Sequence, residues 1–387
     1  MRTFNYKIQY LFLIAAAVFF SWSCEDNGEE AAGNPSLTKV SPIKDDAVSI
    51  SSGNMGDWIS ITGKNLESVQ AIRFNDVDVD MKEVYYENNV LHLQIPVKMP
   101  LEVTNKLTVI TRGGESSFDF TVNVPNLELT GMFNEYTLPG DTIKIYGKFL
   151  DLYEITSENT KIVFGNIESP VIDNNSNYLT ARVPQNVQAN VKVKAVNSKF
   201  NATAECPGWY QDKHNIVTTF DDDFPYTNGT GQQWVAAWPD PKPTSGKYIR
   251  FEVTPETYSN GLGWFYLMEH NVNYQIDMLS HPENYVLKFE LNMLNPIQRT
   301  KFFIYFYWAI DPNPIGSEYF SVQNPGVWQT VTIPLDKIVL KDKWAASPYP
   351  WDGVSTGFSI NFRVENFAPV ERVAMYFDNL RIYKVDD

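Results

Sequence analysis

Aromatic residues are concentrated along two segments in the C-terminal part of the chain, 263–268 and 301–308. Within residues 264–267 and 302–307, every second residue belongs to a set of Phe, Leu and Ile and the residues between them to a set of Trp, Tyr and Phe. Successive side chains of a β-strand point to opposite faces, so this pattern predicts two strands that bury one face and present aromatic rings on the other. By the same parity, segments 287–293 and 358–364 bury apolar residues and present charged and amide side chains. The outward set predicted in this way is Trp264, Tyr266, Glu290, Tyr305, Tyr307, Trp308, Asn361 and Arg363, and Trp351 joins it from a proline-containing loop.

Aromatic rings combined with planar polar groups are suited to binding a neutral sugar. The C–H faces of a pyranose stack on the rings, each ring contributing about 1 kcal/mol beyond its buried area, while the hydroxyl groups bond to carboxylate, amide and guanidinium groups. The same pattern is compatible with aromatic residues that cover neighbouring strands or an interdomain contact. The sequence therefore favours a carbohydrate-binding face and leaves this structural alternative open.

The charge and the motif content of the chain argue against several other classes of function. A net charge of −15 disfavours nucleic acid and anionic membrane surfaces as partners, because phosphate binding requires clustered Lys and Arg. The sequence contains no phosphate-binding glycine loop, no dinucleotide fingerprint, no Cys-x-x-Cys and no His-Glu-x-x-His motif. No cofactor is expected to be required.

A glycoside hydrolase is the main rival interpretation, because it would bind the same kind of ligand. Such an enzyme needs two carboxyl groups about 5.5 Å or about 6.5–9.5 Å apart. Glu269 and Glu290 are the nearest candidates, but by parity Glu269 falls with Phe265 and Leu267, off the face that holds Glu290. We therefore expect no enzymatic activity. A protein-binding adhesin or assembly subunit is the second alternative.

Acidic residues predict a structural calcium site in the same region. Asp221 and Asp223 follow the first predicted strand after residue 206, and Asp378 interrupts the last. If these two strands adjoin, the carboxylates supply the hard oxygen ligands that calcium prefers. The alternative is an acidic turn beside a salt bridge from Arg381.

An internal repeat organises the part of the chain that precedes these residues. Residues 56–66 recur as residues 140–150, with identity at seven of eleven positions and an offset of 84 residues. Alternating apolar residues bounded by Gly, Pro and Asn predict the short strands of a β-sandwich in each copy. The repeat therefore predicts two related domains, 36–124 and 125–205, which we interpret as spacers.

The sequence changes character from about residue 206, where the repeat ends and tryptophans become frequent. Eight strand candidates without a long helical pattern between them predict a jelly-roll sandwich over residues 206–387. We expect this domain to bind its ligand without help from the two preceding domains. The predicted strands are 216–220, 248–253, 263–268, 285–293, 301–308, 328–335, 357–364 and 373–385.

The first residues have the order of an export signal. A basic start and an apolar run of about 11 residues precede Ser21-Trp22-Ser23-Cys24, which predicts a signal peptide over residues 1–23 and lipidation of Cys24. The acidic residues 24–35 that follow cannot build a core and predict a flexible tether. The protein is therefore expected on the outer face of the outer membrane, with its lipid as the only contact to the membrane.

Several of these motifs resemble known families. Ser41-Pro42, the repeated Gly-Asp-x-Ile-x-Ile-x-Gly-x-x-Leu and the Phe-Asn that follows it resemble the IPT/TIG immunoglobulin-like domain. Together with segments 285–290, 307–308, 326–335 and 377–382, the architecture resembles the surface glycan-binding lipoproteins of Bacteroidota polysaccharide-utilisation loci, in the group with a xyloglucan-binding domain.

This resemblance implies an all-β fold with two Ig-like sandwiches followed by a carbohydrate-binding jelly-roll sandwich. It implies that Trp264, Tyr307 and Trp308 stack on a β-glucan or xyloglucan-like polysaccharide. It also implies a TonB-dependent outer-membrane transporter and its lipoprotein as partners.

Overall fold

The computed structural model of the chain describes residues 33–221, 235–253, 263–273, 276–296, 300–306, 324–338, 357–366 and 372–385. The regular secondary structure of these residues is almost entirely β-strand, with one five-residue α-helix, α1 (Ile276–Ser280), and three short 3-10 helices. The all-β prediction is confirmed. Within these ranges no helix is long and apolar enough to cross a membrane. The chain divides into two compact units, and the division falls after Pro125.

The first unit consists of two four-stranded antiparallel sheets and a short parallel pair. One sheet has the order β1-β3-β7-β6, the other β5-β4-β8-β9, and β10 pairs with β2. The strands are β1 (Ser36–Pro42), β2 (Ser52–Asn54), β3 (Trp58–Lys64), β4 (Val69–Phe74), β5 (Val77–Asp78), β6 (Tyr85–Glu87), β7 (Val90–Gln94), β8 (Lys106–Thr111), β9 (Gly114–Asp119) and β10 (Thr121–Asn123).

The predicted alternation along these strands forms the core of the first unit. Ile59 and Ile61 of β3 are buried, as are Leu91 and Leu93 of β7. They pack with Ile72 and Phe74 of β4, which belong to the facing sheet. Period-two patterning therefore builds a sandwich with a single apolar layer between its sheets.

The second unit begins with seven strands whose order repeats that of the first unit, β11-β12-β15-β14-β13-β16-β17. Here β14 pairs with both β15 and β13, and so takes the places of β6 and β5. The duplicated sequence thus has a duplicated structure. The strands are β11 (Glu128–Met132), β12 (Thr142–Lys148), β13 (Thr160–Phe164), β14 (Ile167–Asn174), β15 (Tyr178–Arg182), β16 (Val191–Asn197) and β17 (Ala202–Tyr210).

Two repeated glycines have a common structural cause. A β-carbon on Gly63 would meet the carbonyl oxygen of Ser36, and one on Gly147 would meet that of Glu128. At both places the neighbouring first strand of the copy contains a β-bulge. Only glycine fits where the backbone of another strand comes this close.

Nine further strands complete the second unit. They form a sheet of order β19-β20-β26-β22-β24, in which β18 also pairs with β26, and a three-stranded sheet of order β21-β25-β23. All eight predicted strands are present; 248–253 and 285–293 have the predicted ends, and the other six have shifted ends. The strands are β18 (Ile216–Thr218), β19 (Val235–Ala236), β20 (Tyr248–Val253), β21 (Gly263–Asn273), β22 (Tyr285–Met293), β23 (Thr300–Phe306), β24 (Gln329–Pro334), β25 (Gly357–Asn366) and β26 (Val373–Lys384).

The predicted boundary between residues 205 and 206 falls inside a strand. β17 continues through Cys206 and pairs with β16 up to Tyr210, which lies opposite Val191. The second sandwich therefore extends about five residues further than the end of the sequence repeat suggested.

Candidate functional site

The three-stranded sheet of the second unit collects most of the predicted ligand-binding residues that the structure describes. β25 lies in the centre, with β21 on one side and β23 on the other. Arg363 of β25 is in register with Tyr266 and with Phe303. Asn361 is in register with Tyr305. Residues two apart on β25 share a face, so the register assigns these positions to one face of the sheet.

The same face continues at the next row, where Trp264 and Lys301 lie opposite Glu365. On the other face, the row of Phe265, Val364 and Phe302 is purely apolar. This separation into an aromatic and polar face and an apolar face agrees with the parity expected from the sequence. Trp264, Tyr266, Tyr305, Asn361 and Arg363 therefore occupy one face by register.

A β-bulge changes the predicted place of Glu269. The register of β21 on β25 shifts between Tyr266 and Met268, which leaves Leu267 without a partner in the register. Glu269 consequently pairs with Asn361 and joins the row of Tyr305, whereas parity had grouped it with Phe265. A bulge inserts one residue and reverses parity beyond it. A carboxylate position is thereby added to the aromatic face.

Five predicted residues lie outside the described residues. They are Tyr307, Trp308 and Trp351 of the predicted glycan-binding set, Asp223 of the predicted calcium site and Cys24, the predicted lipidation site.

Glu290 does not lie on an exposed face, which corrects its predicted placement. It belongs to β22 in the other sheet, where Lys288, Glu290 and Asn292 are all buried although the sequence placed them outside. The reason is that the second sandwich covers this part of the sheet. The Thr330 backbone N–H donates to the Phe133 carbonyl at 2.8 Å, and the Glu135 backbone N–H donates to Thr330 Oγ1 at 2.7 Å.

The covered surface contains a network of buried charges. Arg381 donates to Glu135 Oε2 at 2.6 Å, and its two terminal nitrogens donate to Glu290 at 2.9 and 3.1 Å. Lys288 Nζ donates to Glu135 Oε1 at 2.6 Å. Arg381 Nε lies 3.8 Å from Asp212 Oδ2, and neither atom has a hydrogen-bond partner among the described residues. Glu135 thus joins the second sandwich to two strands of the C-terminal sheet.

Three carboxylates face two cations in this network, and burial and the cations act in opposite directions on the pKa values of Glu290 and Glu135. Burial raises the pKa of Glu290 to about 7, although Arg381 opposes the shift. Burial also acts to raise the pKa of Glu135, but Lys288 and Arg381 outweigh it and hold that pKa below its usual value. Glu290 is therefore protonated more easily than Glu135. Its place in a buried ion-pair network separates it from Glu269, which lies on the three-stranded sheet.

The two strands invoked for the calcium site adjoin, since β18 pairs with β26. Asp378 is buried and accepts hydrogen bonds from Thr244 Oγ1 and from the backbone N–H of Ser245 and Asn379. Burial raises its pKa to about 8. Asp221 accepts from the backbone N–H of Lys247 at 2.6 Å.

These contacts bear on both interpretations of the acidic cluster. Arg381 pairs with Glu290 and Glu135, not with Asp221 or Asp378. In the part of the chain that the structure describes, no three Asp, Glu, His or Cys side chains gather as a metal site would require. A calcium ion held here would therefore draw on hydroxyl, amide or carbonyl oxygens, such as those of Thr244 and Asn379, beside the carboxylates.

Comparisons with known proteins agree with this architecture. Residues 210–384 match the family described as surface glycan-binding protein B xyloglucan binding domain, and residues 129–210 match the IPT/TIG domain. The two matches meet at Tyr210, where β17 ends. No curated protein matches the sequence of the chain.

Two solved structures share the fold. The surface glycan-binding protein PbSGBP-B from Prevotella bryantii is 16% identical with a TM-score of 0.59, covering 92% of this chain and 100% of its own. A crystal structure with a xylogluco-oligosaccharide is 16% identical with a TM-score of 0.54, covering 90% of this chain and 79% of its own. The C-terminal part of the chain, residues 210–384, thus matches the model of the surface glycan-binding protein B xyloglucan-binding domain and follows a segment that matches the IPT/TIG domain.

Proposed function

We propose that the protein binds a neutral polysaccharide at the cell surface and catalyses no reaction. The observation that carries the proposal is the register of the three-stranded sheet, which assigns Trp264, Tyr266, Tyr305, Asn361 and Arg363 to one face within the region that matches the glycan-binding family. Rings beside amide and guanidinium groups form the combination that sugar binding requires.

The positions of Glu269 and Glu290 argue against the catalytic pair that the sequence offered as a rival interpretation. A glycosidase places two carboxyl groups across the scissile bond. Glu290 is engaged by Arg381 inside the other sheet, so it is not a partner for Glu269. The strongly acidic chain also favours a neutral ligand over an anionic one.

We propose a β-glucan or a xyloglucan-like hemicellulose as the glycan. The support is the xyloglucan-binding family that residues 210–384 match, together with a relative of the same fold that was solved with a xylogluco-oligosaccharide. An acylated Cys24 would anchor the protein to the outer membrane, where a TonB-dependent transporter and its lipoprotein would take up fragments of the captured chain.

Calorimetry with xyloglucan, mixed-linkage glucan and mannan tests this function. Trp264→Ala, Tyr266→Ala and Tyr305→Ala, with Tyr307→Ala and Trp308→Ala, should each weaken binding by about 1 kcal/mol, roughly a fivefold rise in Kd. Phe149→Asn is a matched control, because it removes an exposed aromatic residue from the second sandwich and introduces the residue that the first copy has at this turn, Asn65. Unchanged affinity in all five variants would reject the proposed face, and release of reducing ends from any of these polysaccharides would reject the non-catalytic function.

We further propose a structural calcium ion beside Asp221, Asp223 and Asp378. The buried carboxylate of Asp378, surrounded by hydroxyl and amide oxygens, supports it. Chelation should then lower the melting temperature of the full chain, and added calcium should restore it. An unchanged melting temperature would contradict the ion.

A further inference from the structure

The first unit presents an aromatic pair on the outer face of one sheet. Trp58 of β3 is 40% exposed and Tyr85 of β6 is 61% exposed. Their ring centroids are 6.1 Å apart, with 37° between the ring planes. The strand between them, β7, places Gln94 opposite Trp58 and His92 opposite Tyr85. Two rings and two planar polar side chains therefore share one outer surface.

The second copy of the domain shows that the fold does not need these rings. At the same register positions it has Thr142 opposite Arg182, in place of Trp58 opposite Gln94. It also has Asp173 opposite Thr180, in place of Tyr85 opposite His92. The same strand order forms with threonine and aspartate at the two aromatic positions. The strand order thus does not depend on the two rings, and their proximity in the first copy makes them a candidate interaction surface.

A cavity of about 610 Å³ adjoins this pair, with Trp58 in its wall. Its size falls within the range of about 300–1,000 Å³ that is usual for small-molecule sites. The lining combines apolar Ile43 with a cation, a carboxylate and amides, namely Lys44, Asp57, Asn54 and Asn123. Asn54 and Asn123 are already oriented by a hydrogen bond between their side chains at 3.2 Å.

The charge and the residue types of this surface indicate which class of ligand it would bind. Lys44 and Asp57 cancel in charge, so the cavity complements a ligand without net charge. Exposed rings beside amides match the C–H faces and hydroxyl groups of a pyranose, whereas a protein contact would favour a drier apolar patch. The acidic chain as a whole disfavours an anionic ligand.

We propose that Trp58, Tyr85 and the adjoining cavity form a second binding site for a neutral glycan on the first unit. This inference rests on the proposed function, because the polysaccharide held by the C-terminal sheet is the ligand we assign to it. Two sites on one chain would bind a long polysaccharide with avidity, and the gain would be absent for a ligand too short to reach both.

The test uses the full mature chain with xyloglucan oligosaccharide and with xyloglucan polymer as probes. The variant Trp58→Thr/Tyr85→Asp carries the residues of the second copy, so it should retain the parent's circular dichroism and melting temperature. Calorimetry with the oligosaccharide should give two sites per parent chain and one per variant chain. Binding to the polymer should weaken at least tenfold in the variant and stay unchanged in Phe149→Asn.

The two proposals fail in different ways. If the parent has one site and Trp58→Thr/Tyr85→Asp binds both probes like the parent, the second site is rejected and the C-terminal site stands. If Trp264→Ala/Tyr266→Ala has no effect while Trp58→Thr/Tyr85→Asp abolishes binding, the second site stands and the C-terminal assignment is rejected. Trp58→Thr/Tyr85→Asp could also keep its affinity for both glycan probes and lose its affinity for a protein partner. In that case the surface is a protein contact and the inference is overturned.

Discussion

Arg381 is a fully buried cation whose partners come from two different layers of the second unit. It donates to Glu135 of the second sandwich and to Glu290 of the C-terminal sheet. Removing one partner of a buried ion pair costs about 3–5 kcal/mol, because the opposite charge is left without compensation. We therefore expect Arg381→Met to lower the free energy of unfolding by about that amount, as measured by urea denaturation.

An exposed pair provides the control for this substitution. Arg73 donates to Asp78 at 2.8 Å, but the two side chains are 43% and 64% exposed. Solvent screens such a pair, so Arg73→Met should cost no more than about 1 kcal/mol. Equal losses in the two variants would mean that the buried network has no special part in stability.

The lowered pKa of Glu135 predicts how the stability of the protein changes with pH. Its folded-state pKa lies below the ordinary 4.5, because Lys288 and Arg381 outweigh burial. A depressed pKa contributes stability that is present above pH 4.5 and is lost as pH falls through the folded value. Glu135→Gln should therefore be less stable than the parent at neutral pH, and the difference should shrink as pH is lowered below 4.5. A difference that stays constant or grows on acidification, in melts across this pH range, would contradict the assignment.

The alternation of residue types was sufficient to predict where the main strands lie. It was not sufficient to predict which of their side chains are exposed to solvent. Leu287 and Phe289 of β22 are buried as parity requires. Lys288 and Glu290, on the opposite face, are buried as well, because residues of the second sandwich cover them. No periodicity in β22 could reveal a covering partner that lies more than 150 residues earlier in the chain, as Glu135 does.

The candidate site shows the same division between local and tertiary information. Alternation alone assigned Trp264, Tyr266 and Tyr305 to one face, and the register agrees. Glu269 was misplaced because a bulge has no composition that marks it in a single sequence. The ending of β17 at Tyr210 was also missed, because the sequence repeat fades before the strand does.

The junction between the second sandwich and the C-terminal sheet predicts how the chain can be divided. Residues 206–387 alone lack Phe133 and Glu135, together with the first half of β17. Losing the bonds of Thr330, Lys288 and Arg381 to these residues removes about 4 kcal/mol at about 1 kcal/mol per hydrogen bond. Residues 206–387 should therefore melt about 8–16 °C below residues 126–387.

This prediction concerns the stability of the fragment, and the expectation that the C-terminal domain binds its ligand without the preceding domains stays a prediction. Residues 126–387, which correspond to the second compact unit, are the matched control in calorimetry and in glycan binding. Equal melting temperatures for the two fragments would show that the junction contributes nothing and would restore the shorter boundary.

Along the chain, two related sandwiches follow the N-terminal segment and precede the C-terminal sheet. Their internal cores are alike, yet their outer faces differ, with Trp58 and Tyr85 in the first copy where the second has Thr142 and Asp173. The second copy is joined to the C-terminal sheet through Glu135, within the second unit. The two copies therefore differ in what their surfaces present, a contact to the C-terminal sheet in the second copy and an aromatic pair in the first.

The proposed attachment to the membrane would depend on one residue, Cys24. Ser21-Trp22-Ser23-Cys24 after an apolar run predicts cleavage before Cys24 and acylation of its thiol and new amino group. Cells that express the protein with labelled fatty acid should incorporate the label and present the protein to protease added outside. Cys24→Ala should lose the label and leave the membrane fraction, while its melting temperature stays the same, because the described core begins after residue 32. Incorporation of label by Cys24→Ala, or full protection of the parent from protease, would contradict a surface lipoprotein.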